Sequence, residues 1–156
     1  MGTPFYYSMW QPVAYNNTPA SVYPTYYSLL FIADLAGDIL APTILELSAF
    51  ESSTLAAYAI YNGNILSKIA VLNLEFYNDT MTERLTQAID VSAVLGKSLC
   101  VTRLTGPLTI TTSVENVTWA GQTYANGDAD GIRATEYSNN GMVEVAASEA
   151  VIIQRF

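Results

Sequence analysis

The sequence predicts a mainly β fold, an antiparallel β-sandwich with one N-terminal helix. Three observations predict it. From Thr43 onward, short runs rich in β-branched and aromatic residues are separated by turn signals, as in sandwiches rather than in alternating strands and helices. Within that region, two apolar runs flank Asn62-Gly63-Asn64, and Asn-Gly supplies the positive φ angles that a tight hairpin turn requires. One helix-length apolar segment has both start and stop signals, Pro24 before it and Gly37 after it.

Taken in order, residues 1–24 carry scattered Asn, Thr, Ser and Pro around aromatics with no sustained period, and they predict a strand stub and a long loop. Residues 25–36 predict the helix. Tyr26, Tyr27, Leu29, Leu30, Phe31, Ile32 and Leu35 make it apolar nearly all round, so it calls for burial against more than one neighbour. The expected strands then cover 44–50, 55–61, 65–74, 85–94, 98–104, 108–112, 131–137, 142–146 and 150–155. Gly106-Pro107 and Asn139-Asn140-Gly141 are the expected separators. Composition shifts near Gly37 to Pro42. Residues 1–40 therefore look like the end of another unit, and residues 41–156 look like a self-contained β-domain.

The 156 residues, half of them apolar, suffice for one core without metals or disulfides as staples. The net charge is −8 and the six basic residues begin only at Lys68, so the footprint for phosphate backbones or anionic lipid heads is missing. Neither nucleic acid nor membrane is an expected partner. The absence of Lys and Arg near the N-terminus also removes the basic start of a signal peptide. The longest mainly apolar stretch, 26–35, is about half of what a bilayer crossing needs. Cys100 is the sole cysteine and there is no histidine, which excludes an internal disulfide and a multi-cysteine zinc site. Between Leu99 and Val101, Cys100 reads as a small buried hydrophobe. No cofactor is expected.

A family resemblance rests on particular residues. Leu55-Ala56-Ala57-Tyr58-Ala59-Ile60-Tyr61, Leu72-Asn73-Leu74 with Tyr77-Asn78, Arg103-Leu104-Thr105 with Pro107, Val117-Thr118-Trp119-Ala120-Gly121-Gln122 and Ala147-Ser148-Glu149-Ala150-Val151 follow in the order seen in family 79 glycoside hydrolases. That family resembles a (β/α)8 barrel carrying the chemistry, followed by a C-terminal β-sandwich, and it includes fungal β-glucuronidases and relatives of heparanase. Tyr7-Ser8-Met9-Trp10-Gln11-Pro12 and Pro24-Thr25-Tyr26-Tyr27 similarly resemble the last barrel strand, its loop and the last barrel helix. The resemblance implies that the catalytic carboxylates lie on barrel strands outside this sequence. No catalytic residue is therefore assigned, and the chain is expected not to be an enzyme by itself. It also implies a secreted, extracellular glycoprotein and two possible partners, the catalytic barrel of a parent enzyme or a second copy of the chain in a homo-oligomer. A free-standing carbohydrate-binding, lectin-like or self-assembling protein is the alternative, with a glycan as partner.

Several residues are candidate sites. Trp119 with Gln122 and Tyr124 has the composition of a shallow sugar platform, an aromatic ring plus amide contacts. Trp followed by Ala-Gly before a loop more often packs a sandwich edge, however, and core or interdomain packing is the stronger reading. Tyr6, Tyr7 and Trp10 resemble the end of the last barrel strand, whose neighbours help line the sugar pocket. Asn126, Asp128 and Asp130 imitate the first half of a calcium loop with Gly131 at position six, but the required Glu at position twelve is replaced by Tyr137. Glu149 beside Ser148 lacks any His or Lys to activate the hydroxyl and reads as structural. Asp34 and Asp38, near the helix C-terminus, read as solvated positions or as former barrel contacts. Asn16, Asn78 and Asn116 open N-x-S/T triplets, candidates for N-glycosylation.

Overall fold

The computed structural model describes residues 9–14, 19–47, 54–109 and 114–156. Strands β1 (Trp10–Gln11) and β2 (Ser21–Val22) form a short antiparallel pair ahead of helix α1 (Tyr26–Ala36). Then come β3 (Thr43–Glu46), β4 (Leu55–Asn62), β5 (Ile65–Asn73), β6 (Thr86–Asp90), the short helix α2 (Ser92–Leu95) and β7 (Leu99–Thr105). After a 3₁₀ turn at Val114–Asn116 the chain continues through β8 (Thr118–Trp119), β9 (Glu136–Ser138), β10 (Met142–Ala146) and β11 (Glu149–Arg155).

The main sheet runs β3-β4-β5-β11-β7, all antiparallel. β8 and β9 share the outer edge of β7, β8 at Leu104–Thr105 and β9 at Leu99–Val101. β6 and β10 form a second, two-stranded antiparallel sheet. Because side chains alternate across a strand, β5 sends Ile69 and Val71 to one face and Ala70 and Leu72 to the other. The first set joins Leu99, Val101, Val151 and Ile153 in a core closed by Ile89, Val143 and Val145 of the second sheet and Leu95 of α2. The second set joins Ile60, Ala150 and Ile152 under Tyr27 and Phe31 of α1 and Trp119 of β8. Each fully buried aliphatic or phenyl side chain contributes about 1.5–3 kcal/mol. Burial on both faces explains why Ile69-Ala70-Val71 and Ala150-Val151-Ile152-Ile153 read as continuous apolar runs rather than as alternation. Asn73, buried in the main sheet, stitches the two sheets: its Nδ2 donates to the Val145 carbonyl (3.0 Å), and its Oδ1 accepts from the Glu75 N–H (3.0 Å).

The sandwich with an N-terminal helix is as the sequence predicts, and so is the hairpin, whose Gly63 has φ +58°. Other boundaries differ. The strand expected over 85–94 stops at Asp90, because the Asp90 carboxylate accepts the Ser92 N–H (2.8 Å) and starts the helical turn α2. Of 131–137 only Glu136 and Tyr137 are strand; the preceding residues follow β8 instead, with the Ala134 N–H on the Ala120 carbonyl (2.7 Å). Leu108 and Thr109 are bends, and the rest of that expected strand lies outside the described residues, as does the end of 44–50. Cys100 is half-buried rather than buried. Leu99 and Val101 take the core-facing positions, so strand alternation turns Cys100 to the opposite face, which α1 does not cover there.

Candidate functional site

Two clusters of polar side chains stand out, one on each face of the main sheet. On the helix face, the Asp34 carboxylate accepts the indole Nε1–H of Trp119 (2.8 Å) and an Nη2–H of Arg133 (2.5 Å). Lys68 Nζ donates to the Asp34 carbonyl, satisfying one of the carbonyls left open at the helix end. Burial pushes the Lys68 ammonium below its ordinary pKa, and the charges of Asp34 and Asp38 oppose that shift. Phe31 meets Trp119 edge-on, with centroids 5.6 Å apart. At the other end of α1, the buried Tyr27 hydroxyl accepts the Tyr124 N–H (2.8 Å), and burial raises its pKa. Asp34 is thus no solvated position. It ties α1 to β8 and to the loop before β9.

On the opposite face lies Arg103, which shares the core-facing parity of Leu99 and Val101 on β7. Its Nε and Nη2 bind both carboxylate oxygens of Glu136 (3.0 and 2.8 Å), while Nη1 binds Glu149 Oε2 (2.8 Å) and the Glu144 carbonyl (3.0 Å). Glu149 also accepts the Thr105 hydroxyl (2.7 Å) and the Ala146 N–H (3.1 Å), with its side chain only 9% exposed. Hydrogen bonds from Arg103 hold the Glu136 carboxyl below its ordinary pKa. This geometry differs from that of a glycosidase acid pair. A retaining enzyme needs two carboxyls about 5 Å apart across an open sugar site, one of them raised in pKa so that it can donate a proton. Here a guanidinium joins the two groups and holds the Glu136 carboxyl below its ordinary pKa.

The predicted site residues fare differently. Trp119 is buried, 1% exposed, so it is a core residue and not a platform for a sugar ring. Gln122 closes the tight turn that follows β8, and its Nε2 donates to the Gly131 carbonyl (3.1 Å). Tyr124 instead packs against Tyr26, which meets Trp10 edge-on at 6.4 Å. Trp10, half-exposed, lines a groove of about 340 Å³ with Gln11, Ser21, Tyr26 and Asn126. The structure therefore brings Trp10, Tyr26 and Tyr124 together and leaves Trp119 apart; Tyr7 and Asn16 lie outside the described residues. Asn126, Asp128 and Asp130 sit on an exposed loop closed by paired backbone bonds between Thr123 and Asp130 (2.9 and 2.8 Å). Among the described residues no group of three His, Cys, Asp or Glu side chains is placed to hold a metal ion. Asn116 is exposed at the end of the 3₁₀ turn, and Asn78 is half-buried in the loop after β5.

Arg103 enters the sequence reading only within the family motif, and neither it nor Glu136 is assigned a partner there. The signal that finds them is parity: a lone Arg two positions after Val101 on a strand that buries Leu99 and Val101 requires a buried acid, and Glu149 opens the neighbouring strand.

The comparisons with known proteins agree with this geometry. The family model described as "Glycosyl hydrolase family 79 C-terminal beta domain" matches residues 57–152, from within β4 to within β11. The chain is 31% identical over 90 residues to a β-glucuronidase of Neurospora crassa and 33% identical over 91 residues to one of Aspergillus niger. These matches take in 51% and 57% of this chain but 16% of each relative, so the chain corresponds to about a sixth of their length. The crystal structure of a 4-O-α-L-rhamnosyl-β-D-glucuronidase from Fusarium oxysporum shares the fold, with a TM-score of 0.61 at 23% identity over 71% of this chain and 25% of that one.

Proposed function

Because the chain belongs to glycosyl hydrolase family 79 through that family's C-terminal β domain, we propose that it is a non-catalytic accessory β-sandwich that braces the catalytic barrel of a β-glucuronidase-like enzyme. One observation carries the reading. The deeply placed carboxylate, Glu149, is fully engaged by Arg103, Thr105 and the Ala146 backbone, and Glu136 is held ionised by the same guanidinium, so neither is available to protonate a leaving group.

The bracing role draws support from α1. Its Tyr27 and Phe31 are buried on the sheet, yet Leu29 and Ile32 on its outer side are 37% and 57% exposed. On this reading residues 1–40 are the last strand, loop and helix of the barrel, and residues 41–156 are the sandwich. The outer side of α1 packs on the barrel, and the same side drives self-association when the barrel is missing. The parent enzyme acts on glucuronides, as the names of the relatives suggest, and on this reading it does so outside the cell.

Aryl-glucuronide hydrolysis tests this. The purified chain alone should give no turnover above buffer. Supplied to a family 79 barrel truncated before its last strand, it should restore soluble, active enzyme. Turnover by the chain alone, abolished by Glu149→Gln, would refute the proposal.

A further inference from the structure

Residues 74–85 link β5 in the main sheet to β6 in the second sheet without regular structure. Their apolar side chains are unusually open to solvent for a loop: Leu74, Phe76, Met81 and Leu85 are all exposed. In the middle stands Phe76-Tyr77-Asn78-Asp79-Thr80, an acceptor triplet preceded two positions earlier by an aromatic ring. The Asn78 Oδ1 accepts both the N–H (3.1 Å) and the hydroxyl (2.7 Å) of Thr80, and the Asn78 carbonyl accepts the Met81 N–H (3.2 Å) in a tight turn. Tyr77 is held from the other direction. Its N–H donates to Thr109 Oγ1 (2.6 Å), its carbonyl accepts the Thr109 N–H (2.9 Å), and its ring lies under the Arg84 guanidinium at 5.4 Å. With Tyr77 held in this way, its neighbours on either side are the exposed Phe76 and the half-buried Asn78.

We propose that Asn78 carries an N-linked glycan whose first N-acetylglucosamine ring lies on the exposed face of Phe76. In forming it, Asn78 Nδ2 bonds to the anomeric carbon of an oligosaccharide carried on a lipid pyrophosphate; the lipid pyrophosphate leaves, and one amide proton is lost. The sugar's C–H face is apolar and matches an aromatic ring, and the glycan would cover Leu74 and Met81 as well. The other two triplets lack this platform. Two positions before Asn116 stands Val114, with the threonine of that triplet inside β8, and two positions before Asn16 stands Ala14. The inference rests on the extracellular reading above for its biological setting, but its test does not.

The test is to produce the chain behind a heterologous leader in a eukaryotic secretory host, so that the outcome does not depend on where the native protein resides. Peptide mass mapping should find hexosamine on Asn78, absent in Asn78→Gln. Enzymatic removal of the glycan should lower the melting temperature by about 2–4 °C in the parent protein and by less than about 1 °C in Phe76→Thr. Secreted, folded protein with a bare Asn78 would overturn the proposal, as would an equal drop in the two proteins.

Discussion

Replacing Arg103 with Met should destabilise the protein by about 3–5 kcal/mol, nearly all of it through Glu149. Glu136, whose side chain is 57% exposed, contributes about 0–1 kcal/mol to the pair because water screens it. Glu149 is different: its side chain is 9% exposed, and without Arg103 it would be left as a buried charge with only the Thr105 hydroxyl, the Ala146 N–H and the 3.9 Å approach of Arg84 as partners. At about 2–4 °C per kcal/mol for a domain of this size, the melting temperature should fall by roughly 6–20 °C. Calorimetry across pH reads the Glu136 part of this. In the unmutated protein Glu136 has a folded-state pKa below its unfolded value, so its stabilisation is present above about pH 4.3 and is lost as pH falls through the lowered value. In Arg103→Met this contribution of Glu136 should disappear, because the Arg103 hydrogen bonds are its cause. Adding Glu149→Gln should return about 2 kcal/mol at pH 7. A deficit under 1 kcal/mol, or one strictly additive with Glu149→Gln, would refute the argument.

Three further predictions concern the rest of the fold. Trp119→Phe should cost about 1–3 kcal/mol by urea titration, because it leaves Asp34 without the indole N–H and opens space beside Phe31, while Arg133→Ala should cost less than 1 kcal/mol because that ion pair is exposed. Gly141→Ala should cost at least about 2 kcal/mol in thermal melts, since its φ is +79° and an added Cβ would stand 2.4 Å from the Ser92 Cβ and 2.9 Å from the Ser92 Cα, forcing α2 to move. Leu29→Glu with Ile32→Glu should shift the light-scattering mass of the isolated chain to that of a monomer and leave its melting temperature within about 3 °C, because both side chains project outward from α1.

How far the sequence discloses the molecule can be judged element by element. The hairpin at Asn62-Gly63-Asn64 and helix α1 are legible because local chemistry decides them: a turn needing positive φ, and a segment bounded by Pro24 and Gly37. β10 and β11 are legible from apolar pattern. The segment 85–94 is not, since a run of apolar residues after Asp90 serves a strand or a capped helical turn equally, and the Asp90 carboxylate on the Ser92 N–H decides it. Trp119 and Cys100 are decided by a shared cause. Whether such a side chain faces core or solvent depends on what covers that stretch of sheet, and α1, far away in sequence, covers Trp119 but not the position of Cys100. The structural role of Glu149 is readable from the lack of a neighbouring base. Its partner Arg103 becomes visible only once strand parity and the pairing of β7 with β11 are known.

The central claim, that this β-sandwich supports chemistry performed elsewhere, is tested most directly by complementation. A family 79 barrel lacking its last strand, its last helix and its own β domain would be co-produced with this chain, and aryl-glucuronide turnover by the purified pair would be measured beside each part alone. The account predicts activity in the pair, none in the chain alone, and a loss on introducing Leu29→Glu with Ile32→Glu. Hydrolysis by the isolated chain, eliminated when a single Asp or Glu is changed to its amide, would contradict it.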